Sequence, residues 1–155
     1  MEWPQLEGVV LPEWIDANGH MNLAYYVVLF DQATDLLYDA LGVGTAYREA
    51  TGNSNFTAET HTLYERELRA GERVRVVPHL LGADAKRLHY FHEMFHAEHG
   101  YRVAAQELMA LHIDMAVRRV TPFPAELSNR ISAAVRACRG RPMPEGVGRR
   151  IATPR

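Results

Sequence analysis

The chain has 155 residues, a length that suits one domain with a full hydrophobic core. Hydrophobic residues make up 47% of it, which excludes a disordered polymer, and a formal net charge of -2 with no dense basic block argues against nucleic acid as a partner. Cys138 is the only cysteine, which rules out an internal disulfide; with no basic, apolar leader at the start and no stretch long enough to cross a membrane, a reducing cytoplasm is the expected compartment.

Val9-Val10-Leu11 reads as a short strand that Pro12 ends. Asn22 can cap a helix in which Leu23, Val27, Phe30, Leu37 and Leu41 recur at helical spacing, with Tyr26, Ala33, Leu36 and Ala40 widening the apolar face. Its polar stripe is narrow (Asp31, Asp35, Asp39), so the helix is expected to be mostly buried. Gly42 and Gly44 end it, and Tyr47–Ala50 reads as one more short turn. The pattern then becomes strand-like over Phe56–Leu68, Arg73–Leu81, Lys86–Ala97 and Tyr101–Asp114, with short turns between. Long strands in succession predict an antiparallel sheet, and one buried helix before them predicts an α+β layout with the sheet curled round the helix. Ala125–Arg139 reads as a surface helix that packs Cys138 as a small residue rather than exposing a nucleophile. The expected organisation is one domain over 1–139 and an extended tail over 140–155, rich in Pro, Gly and Arg.

The run Asp16-Ala17-Asn18-Gly19-His20-Met21-Asn22-Leu23-Ala24-Tyr25-Tyr26 carries the most chemistry. It sets a carboxylate, a turn glycine, an imidazole and two amides directly before the long helix. Free N–H groups in the first helical turn can hold a developing oxyanion, and a nearby carboxylate can attack or activate water. Asp16 also reads as an ordinary turn residue or cap, and His20 as a loop histidine bonded to backbone. His92-Glu93-Met94-Phe95-His96 satisfies H-E-x-x-H, but zinc chemistry requires that motif on a helix. Leu88, Tyr90 and Phe91 favour strand, which would set the two histidines about 13 Å apart on one face, so no metal is expected there.

The pattern D-x-N-G-H-M-N-x-x-Y, Asp16 to Tyr25, resembles the active-site loop of hotdog-fold acyl-CoA thioesterases of the 4-hydroxybenzoyl-CoA type, and the order of elements resembles the hotdog fold over nearly the whole chain. Pro12 to Tyr26, Thr57 to Glu72, Leu81 to His92 and the tail from Pro142 to Arg149 are similar to the betainyl-CoA thioesterases of carnitine breakdown. The resemblance implies hydrolysis of a short acyl-CoA, with betainyl-CoA giving glycine betaine and CoA. Other acyl groups, and a non-catalytic acyl-CoA-binding protein on the same fold, remain open alternatives. It implies no cofactor, since CoA belongs to substrate and product, and a homodimer or dimer of dimers, since one hotdog unit leaves a sheet edge and an incomplete pocket.

By the same resemblance Asp16 is the catalytic carboxylate, as nucleophile or as general base. Gly19 supplies the turn, and the Leu23 backbone N–H is the oxyanion donor. Asn18, His20 and Asn22 of the loop, and Glu59 and His61, which share one strand face, are expected near substrate. A quaternary ammonium offers no N–H, so aromatic faces must hold it by cation–π attraction. Trp14, Tyr25, Tyr26, Phe56 and Tyr64 are the candidates, with Tyr26 also reading as core on the apolar face of the helix and Glu59 as an acidic aid. Lys86 and Arg87 resemble the family's CoA-phosphate cations, with Arg66, Arg69 and Arg73 as alternatives.

Overall fold

The computed structural model describes residues 2–154; Met1 and Arg155, the outermost residues of the expected domain and tail, lie outside them. The elements run β1 (Leu6–Val9), a 3-10 turn (Pro12–Trp14), α1 (Leu23–Leu41), α2 (Thr45–Thr51), β2 (Asn53–Tyr64), β3 (Arg73–Ala83), β4 (Arg87–His96), β5 (Arg102–Asp114), β6 (Arg119–Val120) and α3 (Ala125–Cys138). The strands form one antiparallel sheet in the order β1-β3-β4-β5-β2, with the two-residue β6 added to β5. The sheet curls round α1, the α+β hotdog arrangement that the order of elements implied.

The helix is fixed at both ends by chemistry visible in the chain. Asn22 Oδ1 accepts from the Ala24 N–H, and Gly42, at φ 79°, closes the far end by donating to the carbonyls of Asp39 and Tyr38. Tyr26, Leu29, Phe30, Ala33, Thr34, Leu37, Tyr38 and Leu41 are buried against the sheet. Truncating a side chain as enclosed as Phe30 typically costs about 3–5 kcal/mol. Leu23 and Val27, read as part of the apolar face, are instead 61% and 39% exposed. They lie on the open side of the helix, beyond the cover that one sheet provides.

Other boundaries move by a few residues. The first strand is Leu6–Val9 rather than residues 9–11, because Val10 and Leu11 already lead into the 3-10 turn that Pro12 begins. β2 runs from Asn53 to Tyr64 rather than Phe56 to Leu68. Leu68 has left the ladder, yet it is fully buried and its carbonyl accepts the Met21 N–H at 2.7 Å. The segment read as a turn over Tyr47–Ala50 is a complete short helix, α2.

H-E-x-x-H lies on β4, so His92 and His96 share the inner face of a strand. The Thr34 hydroxyl donates to the Phe30 carbonyl, so the 2.8 Å contact between Thr34 Oγ1 and His92 Nε2 requires the histidine to donate. His92 therefore carries a proton on Nε2. Burial pushes its pKa down to about 3, with the charge of His79 adding to the shift.

After α3 the chain crosses the outer face of the sheet, away from α1. Arg102 Nη1 donates to the Glu145 carbonyl at 2.8 Å, and the Gly148 N–H donates to Glu107 Oε2 at 2.7 Å. Gly146, at φ 101°, passes so close to Leu63 that an added Cβ would come within 2.9 Å of its Cδ1. Among the described residues no helix is long and apolar enough to cross a membrane.

Candidate active site

The loop from Asp16 to Asn22 is a closed turn. The Asp16 N–H donates to the His20 carbonyl and the Gly19 N–H to the Asp16 carbonyl, while Ile15 and Met21 form an isolated bridge beneath. Gly19 takes φ 83° with open space around its Cβ position, so the turn requires glycine for its backbone angle and not for room. The Asn22 N–H is anchored on the Trp14 carbonyl at 2.9 Å, which fixes where the helix begins.

Both Asp16 oxygens are held. Oδ1 accepts from the Asn18 N–H at 2.8 Å and Oδ2 from the Asn22 amide Nδ2 at 3.0 Å. These two donors, the Asn18 N–H first, hold the carboxyl below its ordinary range, and His20 adds a smaller electrostatic pull. At the helix start the Ala24 N–H is taken by Asn22 Oδ1 and the Tyr25 N–H by the Asn22 carbonyl. The Leu23 N–H has no hydrogen-bond partner among the described residues. A carboxylate held below its ordinary pKa range thus hydrogen-bonds the residue that caps a 19-residue helix, and the first N–H at the positive end of that helix is unoccupied. This pair can attack or hydrate a carbonyl whose oxygen the helix terminus stabilises.

A groove of about 400 Å³ opens next to this turn, lined by His20, Met21, Leu23, Tyr26, Tyr64, Glu65, Arg66 and Glu67. Asp16 is not one of its walls; it is linked to the groove through His20, whose carbonyl accepts the Asp16 N–H. His20 Nδ1 lies 3.3 Å from the Met21 carbonyl and must donate to it, which leaves Nε2 3.9 Å from Glu67. The Tyr64 hydroxyl donates to the Leu23 carbonyl at 3.4 Å, and its ring meets Tyr26 edge to face. Burial raises the Tyr26 phenol to about 12, so it stays protonated and donates to the Arg66 carbonyl. Of these walls only Met21, Glu65 and Glu67 were not weighed as site residues in the sequence; the two glutamates follow the end of β2, and the fold brings them to His20 and to Tyr26 on α1.

The remaining candidates are dispersed in the single chain. Trp14 and Tyr25 stack with centroids 5.1 Å apart, an aromatic pair flanking the turn. Phe56 lies toward the other end of β2, where the Arg118 guanidinium already covers its ring at 5.8 Å. Glu59 and His61 share one strand face, but that face is the outer one. There they line a cleft of about 440 Å³ with His89, Glu107 and the tail residues Gly148 to Ile151. Asn18 serves Asp16 chiefly through its backbone N–H. Lys86 ends the β3–β4 turn and Arg87 opens β4; Asp84 in the turn accepts both of their backbone N–H groups and pairs with the Arg87 guanidinium. Among the described residues no group of three or more His, Cys, Asp or Glu side chains is arranged to hold a metal ion.

Comparison with known proteins gives this geometry a context. The sequence pattern of the thioesterase-like superfamily matches residues 10–131. The chain is 43% identical over 148 residues to a betainyl-CoA thioesterase of Pseudomonas aeruginosa, covering 96% of this chain and 93% of that one. It is 35% identical over 138 residues to an L-carnitine dehydrogenase/betainyl-CoA thioesterase of Rhizobium meliloti; that match covers 89% of this chain but only 28% of the longer relative. Among solved structures, a Staphylococcus aureus protein characterised in complex with CoA superposes with a TM-score of 0.88 at 30% identity, covering 99% of this chain and 98% of that one.

Proposed function

This chain belongs to the thioesterase-like superfamily, and from that premise we propose that it hydrolyses a short acyl-CoA, betainyl-CoA before others, to the free acid and CoA. The observation that carries the proposal is the Asp16 carboxylate, held ionised by the Asn18 N–H and the Asn22 amide next to the unbonded Leu23 N–H. With the thioester carbonyl oxygen on that N–H, two routes use the same geometry. In the first, an Asp16 oxygen attacks the carbonyl carbon. The C–S bond breaks, CoA leaves as thiolate, and water cleaves the mixed anhydride to return the carboxylate. In the second, Asp16 takes a proton from a water that attacks directly, and the proton passes to the departing sulfur. Both need ionised Asp16, which the two donors favour.

The acyl assignment rests on likeness to betainyl-CoA thioesterases and on the chemistry of the cation. A trimethylammonium group has no hydrogen-bond donor, and aromatic faces attract it by about 0.5–2 kcal/mol per contact. Tyr26 and Tyr64 on the groove, and the Trp14–Tyr25 pair beside the turn, are the faces within reach of the loop.

We further infer a homodimer. β2 is paired only with β5, so its other edge is open, and Phe56–Thr60 are exposed along it. Antiparallel pairing of two such edges would cover them together with Leu23 and Val27. It would also bring the partner's Phe56 toward this chain's Tyr64. Register aligns Phe56 with Leu111 and Leu111 with Arg87, so the partner's Lys86 and Arg87 would follow as CoA-phosphate cations. Assay of betainyl-CoA against its neutral isostere 3,3-dimethylbutyryl-CoA tests the substrate. A clear preference in kcat/KM for the charged thioester is expected, and equal or reversed values would contradict the acyl assignment.

A further inference from the structure

Resting on the thioesterase reading, we propose that Asn22 is a positioning residue, one side-chain amide that ties the helix cap to the catalytic carboxylate and holds Asp16 in register with the Leu23 N–H. Two hydrogen bonds carry the argument. Asn22 Oδ1 accepts the Ala24 N–H at 3.0 Å, and Nδ2 of the same amide donates to Asp16 Oδ2 at 3.0 Å. Each demand fixes which way the amide faces, and the two agree. The backbone of Asn22 is pinned as well, by its N–H on the Trp14 carbonyl and its carbonyl on the Tyr25 N–H. A hydrogen-bonded unit thus joins the carboxylate to the helix terminus, and Leu23, whose N–H has no partner among the described residues, is the residue directly after Asn22 in it.

Among good capping residues only asparagine can do both tasks. Ser and Asp cap a helix about as well. Ser has a shorter side chain and would leave Asp16 Oδ2 without its donor. Asp offers acceptors only, and would set two carboxylates about 3 Å apart where one donor now stands, which disfavours ionisation of both. This role differs from contact with substrate, because Asn22 already spends both ends of its amide inside the protein.

The separation of cap from positioning sets the test. Asn22→Ser and Asn22→Asp are made in the full chain and measured by carboxyl-resolved NMR titration of Asp16 without substrate, by thermal melting, and by kcat and KM on betainyl-CoA. Asn22→Ser is expected to melt close to wild type, Asn22→Asp to melt lower at neutral pH because of its paired carboxylates, and the Asp16 midpoint to rise in each. The proposal expects kcat to fall by about 10²-fold, the scale of a small misplacement of a reacting group, with KM little changed. An Asp16 midpoint unmoved in Asn22→Ser would overturn it. So would a raised KM at unchanged kcat, which would make Asn22 a substrate contact. The titration needs no turnover, so a wild-type protein inactive on every acyl-CoA would defeat the thioesterase reading while the positioning claim was still decided.

Discussion

At the scale of single residues, two titratable side chains show how environment assigns different tasks. Asp16 is held by two donors and stays ionised, the state that either chemical route uses. Because its folded pKa lies below its unfolded one, it also favours the folded state above the ordinary aspartate range and loses that contribution as pH falls. His92 is the opposite case: enclosed beside Phe30 and Tyr90, it is kept neutral, with its pKa at about 3. The unfolded chain takes up that proton near pH 6.5, so stability should fall with decreasing pH from there toward pH 3, with a limiting slope of about 1.4 kcal/mol per unit. His92→Gln keeps a donor for Thr34 and cannot titrate. Urea unfolding between pH 7 and 4 should show a shallower loss for the variant than for wild type, and parallel curves would disprove this role for His92.

At the scale of elements, one guanidinium ties the tail carbonyl of Glu145 to two acidic partners on separate segments, alongside the Gly148–Glu107 bond. Arg102 binds Glu65 through two contacts of 2.6 and 3.0 Å, Glu93 at 2.8 Å and the Glu145 carbonyl at 2.8 Å. Glu93 is mostly buried, and Arg102→Ala would leave it with His79 alone. Removing one partner of a buried pair costs on the order of 3 kcal/mol, so the variant should melt several degrees lower and its tail should be cut faster by trypsin. An unchanged melting point would show that these contacts add nothing. None of this network was legible in the sequence, because it links residues from four separate segments. The long helix with its caps and the four long strands were legible, since each is a local pattern of spacing and turn chemistry. So was the turn that carries the candidate site, because Asp16, Asn22 and Leu23 belong to one short run whose hydrogen bonds are local. The ends of β1 and β2 were not, for Val10 and Leu68 are as apolar as strand residues and are buried outside the ladder. Leu23 and Val27 fit the helical stripe by spacing, yet only the sheet's width shows that nothing in this chain covers them.

At the scale of the whole molecule, the exposed edge of β2, the apolar side of α1 and the groove beside the Asp16 turn meet along one flank. This flank is expected to close against a second copy. Light scattering should give a dimer, and Leu23→Asp with Val27→Asp should yield a monomer of much lower activity; an active wild-type monomer at assay concentration would refute the shared site. The central claim is narrower: Asp16 performs thioester hydrolysis. It is tested most directly by free thiol release from betainyl-CoA, comparing wild type with Asp16→Asn, whose amide keeps the shape of the side chain and removes its charge. Loss of general-base action alone predicts a fall of about 10²–10⁴-fold with an unchanged melting point. Thiol release by Asp16→Asn at the wild-type rate would contradict it.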